Sequence, residues 1–181
     1  MADINYQELI DRYYSDNMDL RALLICHSKD VARKALDVAQ RHTELDIDRQ
    51  FILEAAMLHD IGIFKTDAPE IHCFGTESYL LHGICGAEIL RNEDMPRHAL
   101  VCERHTGAGL TKKEIAKQGL PLPYADFMPV SIEEQIICFA DCFFSKTKPE
   151  KEKTVDAIRR KMKRYGKRSQ KQFDTWCEMF K

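Results

Sequence analysis

Apolar residues recur along most of the chain at steps of three and four, the spacing that turns one face of an α-helix into a core. Ile4, Leu9, Ile10 and Tyr13 predict a first helix over residues 4–14. Leu20, Leu24, His27, Val31, Ala35 and Val38 predict a long one from about Leu20 to Arg41. Asp48 stands where an N-cap is wanted for a helix through His59, with Ile52, Ala55, Ala56 and His59 on one side and Gly62 as its stop. Residues 63–78 read as a loop, Tyr79–Arg91 as a helix, and Pro96 as the first-turn residue of a helix reaching about His105. Two capping-box patterns follow. Thr111-Lys-Lys-Glu114 opens a short helix to Gln118 that Gly119 closes, and Ser131-Ile-Glu-Glu134 opens one that runs through Phe144. Between them, Leu120 to Pro129 holds three prolines and reads as a loop. Helices over about 149–165 and 169–180 finish the chain. Strand alternation appears nowhere, so the predicted fold class is all-α, a helical bundle in one domain over residues 1–181.

Composition narrows the class. The 181 residues are 44% hydrophobic and 31% charged, the make-up of a globular domain rather than a disordered chain. No apolar run approaches the ~20 residues of a membrane span, and Met1 to Asn5 lack the basic start and apolar stretch of a signal peptide. The seven cysteines are odd in number, form no Cys-x-x-Cys and sit mostly beside apolar residues, as reduced core thiols do. Together these predict a cytoplasmic protein without membrane contact and exclude a collagen, a coiled coil, a channel and a secreted protein. Charge is unevenly spread: residues 146–171 carry twelve Lys and Arg against three Asp and Glu, a local +9, which leaves −11 on the rest. Val155, Ile158 and Met162 are spaced for one buried stripe, so this segment reads as a basic, solvated helical extension over 146–181. It has no aromatic interleaving and no nucleic-acid motif, so nucleic acid is not an expected partner. The pattern does not fix an oligomeric state.

The chemistry-bearing residues lie on these helices. No phosphate loop, dinucleotide fingerprint, nucleophile elbow or His-Glu-x-x-His is present. What remains is a set of histidines and aspartates at positions where periodicity predicts burial: His27, His59-Asp60, His82, His105 and Asp141. A single such histidine is ordinarily a core residue bonded to a carbonyl. Several on separate helices sharing one core, with carboxylates among them, are relieved together by a cation.

His59-Asp60-Ile61-Gly62 resembles the tetrad of the HD-domain superfamily of metal-dependent phosphohydrolases. The contexts Leu-Leu-Ile-Cys-His27-Ser, Ala-Ala-Met-Leu-His59-Asp60-Ile-Gly and Phe-Ala-Asp141 resemble its ordered His…His-Asp…Asp set over roughly residues 20–145. The resemblance implies a helical bundle of five or more helices and a metal centre on His27, His59, Asp60 and Asp141. Leu81-His82-Gly-Ile-Cys-Gly and Glu103-Arg104-His105 are similar to the family segments that serve a second metal. On that reading Asp60 bridges two ions, one on His27, His59 and Asp141, the other on His82 and His105. In mononuclear relatives the last two contact substrate phosphate instead. The metal implied is a divalent Mn, Fe, Ni, Co or Zn, which mixed imidazole and carboxylate ligands suit better than Mg. The activity implied is hydrolysis of a small phosphorylated substrate by metal-activated water, with Asp60 or Asp141 handling the proton. Some relatives with the same six ligands are diiron oxygenases, the alternative chemistry; a third reading keeps the metal only as a fold element. Lys65, His72 and Lys146 are the candidate phosphate-binding residues. His42 reads as structural at a helix C-terminus and His98 as a surface residue.

Overall fold

The structure is a computed structural model that describes residues 5–148 and 151–180. Among these the order is α1 (Tyr6–Tyr13), α2 (Met18–Arg41), α3 (Arg49–Leu58), β1 (Asp67–Ala68), β2 (Cys73–Phe74), α4 (His82–Asn92), α5 (Pro96–Arg104), α6 (Lys112–Gln118), α7 (Ile132–Asp141), α8 (Val155–Tyr165) and α9 (Lys167–Met179). The fold is all-α. No helix among the described residues is long and apolar enough to cross a membrane.

Local signals set most boundaries. Asn5, Asn17, Asp48, Ser131 and Thr154 each accept a backbone N–H of the first turn, the N-cap bond that α1, α2, α3, α7 and α8 need. Asn17 lets α2 start at Met18, earlier than the apolar stripe suggests. Thr111 and Glu114 form both bonds of a capping box, and Gly119 closes α6 in the left-handed conformation. The second box is only half made. Ser131 accepts from Glu134, but the Glu134 carboxylate takes the N–H of Val130 and pairs with Arg104 rather than closing on Ser131.

Several expectations need correction. Ile4, Pro149 and Glu150 lie outside the described residues, and α8 begins at Val155, not 149, because Thr154 caps it. Residues 63–78 are not a plain loop: one short 3₁₀ turn precedes a two-residue antiparallel ladder, Asp67↔Phe74 and Ala68↔Cys73, and a second joins its strands, the ladder being too short to leave an alternation in the sequence. α7 stops at Asp141, three residues before Phe144, and the carbonyls just beyond its end turn to the extension. Lys153 donates from its backbone N–H to Phe143 and from Nζ to the carbonyls of Cys142 and Phe144. Gly62 is not a left-handed stop; its φ is −86°. A Cβ there would lie 2.2 Å from the backbone nitrogen of Gly86 and 2.4 Å from the carbonyl oxygen of His82, so glycine lets the 59–62 turn press directly on α4. His98 is buried, not at the surface.

The core is shared by α2, α3, α5 and α7, with α4 laid tightly along α5. The extension completes it. Phe173 stacks on Phe139 at 5.9 Å, Phe180 meets the same ring at 5.4 Å, and Trp176 donates its indole N–H to Gln135 at 3.1 Å, all on α7. Ile158 and Met162 are buried as the stripe predicts, and α8 therefore lies where its polar face can reach the ends of the bundle helices.

Candidate metal centre

Three helices end at one place. His59 follows α3 directly, His105 follows α5, and Asp141 is the last residue of α7; His82 opens α4 and His27 lies mid-way along α2. Helix C-termini carry unsatisfied carbonyls and partial negative charge, so three of them converging favour a cation.

The same short-range device aims three of the four imidazoles. The Nδ1–H of His59 donates to the carbonyl of Ala56 at 2.6 Å, that of His82 to Tyr79 at 2.6 Å, and that of His105 to Cys102 at 2.7 Å. Each acceptor lies three residues back. A carbonyl only accepts, so each Nδ1 carries a proton and each Nε2 is turned inward, the orientation of metal-binding histidines.

Around Asp60 the inward atoms fall into two groups. Its Oδ2 lies 3.2 Å from Nε2 of His27 and 3.1 Å from Nε2 of His59, and these nitrogens lie 3.0 and 3.7 Å from Oδ1 of Asp141. Its Oδ1 lies 3.5 Å from Nε2 of both His82 and His105, which are 3.0 Å from each other. His27, His59 and Asp60 could hold one ion, and Asp60, His82 and His105 another. Donor atoms bound to one ion at ~2.0–2.2 Å sit about 3–3.5 Å apart, which is the spacing seen. The chemistry of the set fits too. Nε2 of His59, both nitrogens of His27 and Oδ1 of Asp60 are buried with no hydrogen-bond partner among the described residues. Nε2 of His82 and Nε2 of His105 face one another, a contact that a shared cation would bridge.

The two halves differ electrostatically. Burial pushes His59 down, but the carboxylates of Asp60 and Asp141 outweigh it and hold it up at about 10. Burial wins at His82, which falls to about 3 despite Asp60. Burial would raise Asp60 and Asp141, yet both lie well below the usual carboxylate range. Lys146 and His59 do this for Asp60, and His27 and His59 for Asp141. Both are therefore acceptors at neutral pH. Asp60 is fully buried, whereas the Asp141 side chain keeps 20% of its surface open.

That opening leads into a cavity of about 470 Å³ lined by His27, His82, His105 and Asp141 at the cluster and by Lys146, Lys153 and Lys161 farther along the chain. Lys146 enters the cluster, its Nζ 2.5 Å from Oδ2 of Asp60. Lys65 and His72 do not line the cavity: Lys65 pairs with Glu88 at 3.5 Å, and His72 is exposed on its turn. Tyr79, stacked on His82 with ring centroids 4.8 Å apart, also lines it. The sequence assigned no site role to Tyr79, Lys153 or Lys161. For the lysines the local charge of +9 was the available signal; Tyr79 left none.

The profile of the HD domain family matches residues 24–145, a span that contains all six inward-facing ligands. A tRNA (cytidine(56)-2′-O)-methyltransferase of Picrophilus torridus is 38% identical over 128 residues, 70% of this chain and 32% of that protein. Another enzyme so named, of Thermoplasma volcanium, is 34% identical over 140 residues, 76% of this chain and 37% of that protein. An uncharacterized protein of Methanocaldococcus jannaschii is 35% identical over 133 residues, 73% of this chain and 70% of that protein. The chain thus spans only about a third of the length of either methyltransferase it matches. No solved structure matches it.

Proposed function

Because the chain belongs to the HD domain family, we propose that it is a metal-dependent phosphohydrolase acting on a nucleotide or another small phosphate ester. The observation that carries this reading is the sharing of Asp60 between two triads of buried donors, with a lysine ammonium beside them at the head of a cavity. His27, His59, Asp60 and Asp141 would hold one divalent transition-metal ion and Asp60, His82 and His105 a second. Such ions screen phosphoryl charge and lower the pKa of water from ~15.7 toward ~7.

The chain's own groups do the rest. Lys146 brings a fixed positive charge to where a phosphoryl oxygen would lie, and Tyr79 forms an apolar wall beside His82. Asp141, ionised and partly open to the cavity, is the better placed of the two carboxylates to accept a proton from attacking water. Asp60, sealed from solvent, is the shared ligand rather than a base. A cavity of about 470 Å³ is of the size that takes a small molecule rather than a nucleic-acid strand. Two relatives are named tRNA methyltransferases. We read the shared segment as a unit joined to their methyl-transfer machinery, since imidazoles and carboxylates built for metal are not the groups that hold a methyl donor.

The test is phosphate release by Mn-, Fe-, Co- or Zn-loaded protein across a panel of nucleotides and sugar phosphates, with oxygen uptake followed in parallel. Release without oxygen consumption is the expected result. Turnover that consumes oxygen and needs redox-active iron would replace this reading with the oxygenase one, and no turnover on any ester would sink it.

A further inference from the structure

The C-terminal extension does more than cover the core. Three lysines line the cavity, Lys146 and Lys153 from the segment after α7 and Lys161 from α8, against two carboxylates, Asp141 of the ligand set and Glu70. Their partners differ. Lys146 is committed to Asp60. Lys153 is held by the carbonyls of Cys142 and Phe144, and its pKa is lowered by burial, with Lys161 and Lys146 adding to the effect. Lys161 pairs with no carboxylate among the described residues; its Nζ lies 5.7 Å from the centre of the Tyr165 ring, another cavity residue. Lys161 and Tyr165 are exposed to solvent where they line the cavity, so the three ammonium groups give its open side a positive potential that draws an anion.

We propose that Lys161, supported by neighbouring Lys153 and the ring of Tyr165, forms a second anion subsite, so that the preferred substrate is a small molecule bearing two phosphoryl groups. One phosphoryl lies at the metal ligands and Lys146, the other at Lys161. The subsite deepens the hydrolase reading and rests on it only for which phosphoryl reacts. The ligand chemistry is shared by nucleoside bisphosphates and sugar bisphosphates, and the cavity volume admits either.

The test compares matched pairs by calorimetry on Mn-loaded protein: adenosine 5′-monophosphate against adenosine 3′,5′-bisphosphate, and fructose 6-phosphate against fructose 1,6-bisphosphate. In at least one pair the wild type binds the bisphosphate about fivefold tighter, as expected for one partly exposed charge pair, and salt weakens the preference. Lys161→Ala abolishes the preference and leaves monophosphate affinity within twofold, and Lys161→Arg keeps it. The pair that shows the effect says whether the scaffold is nucleotide or sugar. Equal affinities in the wild type, absence of binding by all four compounds, or equal losses for mono- and bisphosphate in Lys161→Ala would overturn the subsite. A bisphosphate preference that persists when no ester is hydrolysed would leave the subsite standing while the hydrolase reading fails.

Discussion

Two buried histidine–carboxylate groups sit on the same pair of helices and have opposite fates. In the first, His98 of α5 meets Glu54 of α3 at 3.3 Å, Gln50 donates to the other Glu54 oxygen at 2.8 Å, and the imidazole lies edge-on to Phe51 at 4.8 Å. The pair closes on itself within the helix packing. In the second, His59 and His105 lie just past the ends of those helices, each spends its Nδ1–H on the carbonyl three residues back, and each turns its Nε2 toward Asp60. Residue types and burial are alike; only the count of unsatisfied inward atoms differs. A buried histidine is informative when its partners fail to satisfy it, and helix ends are where that failure can be built, because the chain there is free of the hydrogen-bond ladder.

If this contrast is sound, Asp60→Asn does the greatest damage, since one carboxylate serves both triads. Bound metal measured by mass spectrometry falls from two ions to one or none, and turnover drops about a thousandfold, the ~4 kcal/mol of charge stabilisation a metal centre supplies. Undiminished metal content would show that Asp60 is not shared.

Chelation comes next. Removing an ion present at 100 times its dissociation constant costs ~2.7 kcal/mol, a fall in Tm of about 5–10 °C for each site in a chain of this size. His98→Gln should leave both the metal content and the chelator-induced shift unchanged, and a loss of metal in that variant would erase the distinction between the two groups.

Gly62→Ala tests how the second triad is positioned. Its new methyl meets α4 backbone at both Gly86 and His82, so the turn carrying Asp60 and the helix carrying His82 must part. Denaturant unfolding should show a loss of about 1–3 kcal/mol, with weaker binding of one ion rather than both.

The smallest effect concerns pH. Burial, working against Glu54, holds the His98 pKa below its ordinary value. The unfolded chain therefore takes up a proton near pH 6.5 that the folded chain refuses. This site costs nothing above that pH and lowers stability progressively as pH falls through it. In metal-loaded protein, His98→Gln should flatten the decline of Tm between pH 7 and 5.5, by an amount equivalent to about 1 kcal/mol or less. An unchanged slope would mean that His98 keeps its proton on folding.

Most helices, the caps at Asp48, Thr111 and Ser131 and the histidines of the two triads were legible in the sequence because each is a local matter, whereas the burial of His98 was not. A period of 3.6 fixes a buried face, Asp48 and Thr111 hold N–H groups within three residues, and the tetrad at 59–62 is contiguous. The bond from each imidazole to the carbonyl three residues back is local as well, though no pattern of residue types announces it. Convergence was not local. The distance from His27 to Asp141 depends on how α2 packs on α7, and the division of Asp60 between two triads depends on Gly62 letting α4 come close. The entry of Lys146 and Lys161 into the cavity depends on Phe173 and Trp176 anchoring the extension to α7. The sequence alone determined the helical periodicity that turns His27, His59, His82, His105 and Asp141 inward. Which of them satisfy one another, as His98 and Glu54 do, and which are left to a cation was decided only by packing, because hydrogen-bond satisfaction belongs to pairs of atoms that the chain brings together from far apart.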